Sequence, residues 1–123
     1  MGMVADRRPG ITVLLVEDSL DTREILVTLL EMNGLRVVGA ATAAEALAAG
    51  QEHGTIHLLL TDINLPDGSG GEVAAALQRI HPAMRSLFLS GDEPPPLVPG
   101  QAFLRKPIGI ASVLREIDDL LRP

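Results

Sequence analysis

The chain has 123 residues, 46% of them hydrophobic, enough for one domain with its own core. A formal charge of −6 argues against nucleic-acid binding, which calls for a basic face, and the lack of cysteine excludes disulfides, thiolate chemistry and Cys-based zinc sites. No apolar stretch approaches the ~20 residues of a membrane span, and residues 1–10 lack the apolar core of a signal peptide, so a cytoplasmic protein with a short polar lead-in over 1–10 and one domain over 11–123 is expected.

Strand and helix signals then alternate along the chain. Residues 11–16 read as a first strand. A helix over 20–33 carries Ile25, Leu26, Leu29, Leu30 and Met32, and Gly34 stops it. A second strand covers 36–41. Thr42 and Glu45 have the spacing of a capping box and open an alanine-rich helix that ends near Gly54. A third strand covers 56–61. The helix after Gly70 uses Val73, Leu77 and Ile80 and stops before Pro82. Residues 87–89 and 102–105 are the fourth and fifth strands. The last helix carries Ile110, Val113, Leu114, Ile117, Leu120 and Leu121 in a regular i, i+3, i+4, i+7 stripe. Such alternation implies right-handed crossovers and a parallel sheet covered by helices on both faces, which suits the flavodoxin-like doubly wound order 2-1-3-4-5.

One stretch breaks the alternation. Residues 91–101 include Pro94, Pro95 and Pro96 in succession, which cannot sit inside a helix, and the stretch is too short for a helix and its connections. Four helices are expected, with a proline-rich loop in this place. The three histidines, His53, His57 and His81, match no metal spacing. His53 and His81 read as surface or capping residues near helix ends, and His57 as the solvent-facing start of a strand.

The chemistry gathers at strand ends. The third strand is an apolar run that ends on Asp62 and passes at once into a Pro/Gly-rich loop, so Asp62 is expected at a carboxyl edge open to a crevice. The first strand ends on Glu17 and Asp18. Three carboxylates at one sheet edge repel one another unless a cation offsets them, and a hard divalent ion with oxygen ligands suits the set. Ser90 ends the fourth strand with a hydroxyl, and Lys106, the only lysine, follows the fifth. Carboxylates, a hydroxyl and an ammonium at four strand ends form a phosphoryl-transfer constellation. Each residue also has a plainer reading: Asp62 as a turn residue, Asp18 or Ser19 as a helix cap, Lys106 as a surface lysine, Phe103 as core.

Taken in order, Glu17-Asp18, Asp62 with Leu65-Pro66 and Gly70, Ser90-Gly91 and Lys106-Pro107 resemble the receiver domain of bacterial two-component response regulators, over nearly the whole chain. The reduced fourth helix after Phe88-Leu89-Ser90-Gly91 resembles receivers attached to some hybrid histidine kinases. The resemblance implies Asp62 as the phosphorylated nucleophile and Mg²⁺ held by Glu17, Asp18, Asp62 and the carbonyl of Asn64. It also implies Lys106 and Ser90 on the phosphoryl oxygens, Phe103 as a switch aromatic coupled to Ser90, and a cis bond before Pro107. The implied partner is a histidine kinase or a histidine phosphotransfer protein. A module of this kind turns over no metabolite and works by protein contact, here as a monomer because half of the usual dimer face is loop. The sequence leaves open a stand-alone receiver or a piece of a longer protein. A Mg²⁺-dependent aspartyl-phosphate phosphohydrolase and a degenerate receiver used only for docking remain as alternatives. The first resembles D-x-D at the nucleophile, where this chain has Asn64.

Overall fold

In the computed structural model, which describes residues 10–122, five parallel strands form one sheet in the order β2-β1-β3-β6-β7. They are β1 (Thr12–Val16), β2 (Arg36–Ala40), β3 (Leu58–Asp62), β6 (Arg85–Ser90) and β7 (Gln101–Arg105). In order along the chain these five are 2-1-3-4-5, the expected doubly wound arrangement. The remaining pair, β4 (Asn64–Leu65) and β5 (Gly68–Ser69), is a small antiparallel ribbon within what the sequence presents only as a loop. The lead-in expected over 1–10 lies, apart from Gly10, outside the described residues.

Strand residues alternate between two cores, as a pleat with both faces covered requires. Val13, Leu15, Leu58, Leu60, Leu87 and Leu89 pack against α1 (Leu20–Met32) and α4 (Ile110–Leu121) through Leu26, Leu30, Val113 and Ile117. Leu14, Val16, Leu59 and Phe88 pack on the other side against α2 (Ala43–Glu52) and α3 (Gly70–Gln78) through Ala46, Ala49, Val73 and Leu77. With almost no aromatics, the second core closes by bringing α2 and α3 near each other. A Cβ on Gly50 would overlap Leu77 Cδ2, so glycine here permits the close approach. Each fully buried leucine contributes about 1.5–3 kcal/mol.

Helix starts follow local chemistry. Ser19 caps α1 and accepts a hydrogen bond from Thr22 N (3.4 Å). Ser69 and Glu72 form a reciprocal capping box at α3. The box expected at Thr42 forms by half: Thr42 Oγ1 accepts from Glu45 N (3.1 Å), but Glu45 Oε1 reaches one residue further back, to Ala41 N (2.8 Å). No helix forms over residues 91–100. This loop is tied down by Arg105, which donates to Gly91 O (3.3 Å) and Asp92 O (3.1 Å).

His53 is exposed at the end of α2, as expected, but the surface reading of the other two histidines needs correction. His81 is buried; its Nδ1 accepts from Ile56 N (3.3 Å) and its Nε2 lies 2.8 Å from Gly50 O. His57 Nδ1 accepts from Thr12 N (3.0 Å). Both rings satisfy backbone groups at the amino-terminal edge of the sheet, the end away from Asp62.

Candidate functional site: an acidic cluster with a lysine at the carboxyl edge

Parallel pairing places all strand ends on one edge, and register sets their height. Val16 pairs with Thr61, Asp62 with Leu89, and Ser90 with Arg105. Glu17 therefore stands level with Asp62. Beyond the ladder, Glu17 N donates to Ala40 O (3.0 Å), Ile63 N to Leu89 O (3.0 Å) and Lys106 N to Ser90 O (2.8 Å), so the turns start from fixed positions. The Lys106–Pro107 peptide bond is cis.

Glu17, Asp18 and Asp62 bring carboxylate oxygens within 4.8 Å of one another. Glu17 and Asp62 are buried and Asp18 is exposed, so the cluster opens to solvent on one side. Lys106, the sole lysine, places Nζ 2.7 Å from Asp62 Oδ1 and 3.6 Å from Glu17 Oε1. Among the described residues this ammonium is the one donor close to these two buried oxygens. Glu17 Oε2 accepts from Ser19 N (3.0 Å).

Burial raises the Glu17 carboxyl above its ordinary value. The Ser19 amide opposes this, and the adjoining Asp62 carboxylate adds to it. For Lys106, burial works against the charge, but contact with Asp62 and the charge of Glu17 outweigh it and raise its value. Two under-donated buried oxygens beside an exposed carboxylate fit a hard cation with oxygen ligands. Because Ser19 does the capping, Asp18 is left to the cluster.

The other expected residues stand around this centre. Ser90 is buried at the end of β6, and its hydroxyl accepts from Asp92 N (3.0 Å). Asn64 is exposed on the β4–β5 ribbon. Phe103 is half-buried against the α2–α3 core, with the Arg105 guanidinium carbon 5.9 Å from its ring centroid. Gly70 is where the chain presses on the end of β3: a Cβ there would overlap the Asp62 carbonyl oxygen and lie 2.8 Å from Thr61 Cγ2.

Sequence reading missed two residues. Arg23 Nη1 donates to Glu17 O (2.7 Å), fixing the turn that carries the acids. Asp67 accepts from Ala43 N (2.7 Å) and Ala44 N (3.0 Å), at the start of α2. Arg23 is one turn into α1, and a basic residue there is a weak local hint. Asp67 has no local hint, because its partners lie 24 and 23 residues away.

A groove of about 580 Å³ opens beside the cluster, lined by Glu17, Thr22, Ile25, Leu26, Leu29, Leu89, Lys106, Pro107, Ile108 and Ile110. Ile25 is 60% exposed on the α1 side of this groove.

Residues 13–117 match the family described as the response regulator receiver domain, and the chain belongs to that family. It is 33% identical over 115 residues to the response regulator receiver protein CpdR of Brucella abortus (strain 2308), covering 89% of this chain and 95% of CpdR. It is 31% identical over 117 residues to the sensor kinase CckA of the same organism, spanning 89% of this chain but 12% of that kinase. A crystal structure of the receiver domain from the hybrid histidine kinase CckA superposes with a TM-score of 0.80 at 30% identity, covering 90% of this chain and 99% of that one. The Vibrio cholerae chemotaxis protein CheY4 gives 0.82 at 26% identity, over 90% of this chain and 98% of that one. The chain is thus a receiver domain, of the kind found both as a single-domain protein and as a small part of larger sensor kinases. Among the described residues no helix is long and apolar enough to cross a membrane.

Proposed function

We propose that Asp62 takes a phosphoryl group from a phosphohistidine, with Mg²⁺ at the acidic cluster, and that the resulting acyl phosphate signals by protein contact. The observation that carries this is the 2.7 Å approach of Lys106 Nζ to Asp62 Oδ1 inside a cluster of three acids. An Asp62 oxygen attacks phosphorus, the P–N bond to the donor imidazole breaks, and that nitrogen takes up a proton. Lys106 steadies the carboxylate and then a phosphoryl oxygen, and the Ser90 hydroxyl takes another by leaving Asp92 N. Glu17, Asp18, Asp62 and the Asn64 carbonyl would hold Mg²⁺, which when bound offsets the charge of carboxylates and phosphoryl oxygens. Phe103 responds to the movement of Ser90.

The phosphodonor, a histidine kinase or histidine phosphotransfer protein, docks on the groove formed by α1 and the turn after Lys106. An apolar helix face suits Ile25, Leu29 and Ile108 there. Residues 11–123 act as one domain behind the lead-in 1–10. The domain turns over no metabolite, works in the cytoplasm, binds no nucleic acid and stays monomeric, since a proline-rich loop replaces the fourth helix. A phosphohydrolase that uses an aspartyl phosphate would want an acid two residues beyond Asp62, where Asn64 stands. A receiver used only for docking has no need of the buried acids and their lysine.

The test is incubation with phosphoramidate and Mg²⁺, read by intact mass. A phosphoryl adduct is expected on the wild type and not on Asp62→Asn. An adduct that persists on Asp62→Asn would overturn the assignment.

A further inference from the structure

The loop between Asp62 and α3 is held from outside. Its ribbon has two residue pairs, Asn64 with Ser69 and Leu65 with Gly68, joined by Pro66 and Asp67. Two-residue turns whose twist suits a ribbon need positive φ, and among the described residues only Gly10, Gly34 and Gly100 have it. A two-pair ribbon on a turn of the wrong twist has little stability of its own. Leu65 is buried beneath the ribbon, and Gly70 N donates to Ile63 O (2.8 Å) at its base. Its tip is fixed by Asp67, whose Oδ1 accepts from Ala43 N (2.7 Å) and Oδ2 from Ala44 N (3.0 Å).

These amides do not themselves need Asp67. They belong to the exposed first turn of α2, where water can take them, and Thr42 already serves the next one, Glu45 N. The loop gains more than the helix does. α2 is a rigid post: Ala46 and Ala49 are buried in the core, and His81 Nε2 lies 2.8 Å from Gly50 O. The post is linked to the tip at Asp67, and the ribbon links the tip to Asn64, two residues beyond Asp62. The charge suits the contact, since a carboxylate at a helix start is favoured, and these two amides hold the Asp67 carboxyl below its ordinary value.

We propose that Asp67 is a positioning residue for the phosphoacceptor site: by clamping the ribbon to α2 it fixes the loop that carries the Asn64 carbonyl, and so sets Mg²⁺ affinity and the rate of phosphorylation. This rests on the reading of Asp62 as phosphoacceptor. It makes Asp67 a support of the metal site one step further out than the groups bonded to ligands, whose loss costs roughly 10–100-fold in metal affinity, so the effect of Asp67 is expected at the low end.

Removing either half of the clamp tests it. Asp67→Ala removes the acceptor. Ala43→Pro removes one donor from the helix side; proline is favoured at the first helical position, and Thr42 before it is already extended (φ −138, ψ 166), so α2 should be preserved. Asp67→Asn keeps one acceptor oxygen. Mg²⁺ affinity is measured by titration calorimetry well below the unfolding temperature, together with phosphoramidate phosphorylation rates and amide exchange at Leu65 and Gly68. Asp67→Ala is expected to weaken Mg²⁺ binding about tenfold, slow phosphorylation and speed exchange in the ribbon. Ala43→Pro should shift all three the same way, and Asp67→Asn should recover part of each. If both clamp variants lose only thermal stability, with Mg²⁺ affinity unchanged, Asp67 is a helix cap and the proposal is overturned while Asp62 remains the phosphoacceptor. Wild-type protein that binds Mg²⁺ but is phosphorylated elsewhere overturns the Asp62 reading; the Mg²⁺ titrations still decide the clamp. Wild-type protein that binds no Mg²⁺ overturns both.

Discussion

Lys106 Nζ lies 2.7 Å from Asp62 Oδ1 although their strands are not neighbours: the lysine follows β7 and reaches across the end of β6 to the end of β3. Its backbone N–H donates to Ser90 O (2.8 Å), which anchors it over the strand it crosses. One cation thus faces two buried carboxylates, and its side chain is 38% exposed, so solvent moderates the attraction.

Lys106→Met removes that cation and leaves Glu17 and Asp62 facing each other. The metal-free protein is expected to lose roughly 1–2 kcal/mol of stability, less than a fully buried pair would lose. Saturating Mg²⁺ should recover much of the deficit, because a divalent ion takes over the neutralising role. Urea unfolding with and without Mg²⁺ checks this, and a deficit unaffected by Mg²⁺ would count against a metal at these acids.

Gly70→Ala places a methyl against the Asp62 carbonyl and Thr61 Cγ2, both in a well-packed strand. Overpacking of this sort costs about 1–3 kcal/mol. Because the displaced group is the backbone of Asp62, the proposed phosphoacceptor, phosphorylation should also slow at temperatures where the variant is fully folded. Stopped-time phosphorylation assays beside a thermal melt separate the two effects.

The sheet order and the acid cluster were legible because each rests on a local pattern: short apolar runs that end on polar residues and alternate with helical stripes. Asp62, Glu17 and Asp18 each close such a run. The β4–β5 ribbon was not legible, since Asn64-Leu65 and Gly68-Ser69 are too short for any periodicity and read as turn chemistry. His81 was misjudged because its place near a helix end suggests surface, while its actual partners, Ile56 N and Gly50 O, lie 25 and 31 residues away. Asp67 escaped for the same reason: its partners, Ala43 N and Ala44 N, lie 24 and 23 residues away and leave no trace near it in the sequence. The gap in helices was legible because three successive prolines exclude a helix whatever surrounds them.

Acid should remove the contribution of Asp67 to stability. Its folded value is below the ordinary 3.8, because the Ala43 and Ala44 amides favour the carboxylate. A depressed value gives stability that is complete above the unfolded value and disappears as pH falls through the folded one. The stability gap between wild type and Asp67→Asn is therefore expected to be constant near neutrality and to close below pH 3.8, since protonated Asp67 resembles Asn. Denaturant melts across that range measure it, and a gap that persists at the acid end would contradict the clamp's charge.

Ser86 offers a test outside the site. Its hydroxyl is fully buried in β6 and has no hydrogen-bond partner among the described residues. Ser86→Ala removes an unsatisfied polar group at little loss of packing, so stability should rise by about 1 kcal/mol. Chemical denaturation gives the answer, and a loss of that size would reveal a partner for the hydroxyl.

The central claim is that Asp62 carries the phosphoryl group. Borohydride reduces an aspartyl phosphate to homoserine, so protein treated with phosphoramidate and Mg²⁺, reduced and digested should yield the peptide spanning residue 62 with homoserine in place of Asp62. Untreated protein should not yield it. Homoserine at Asp18 or any other acid, or a phosphorylated protein with no homoserine at all, would contradict the account.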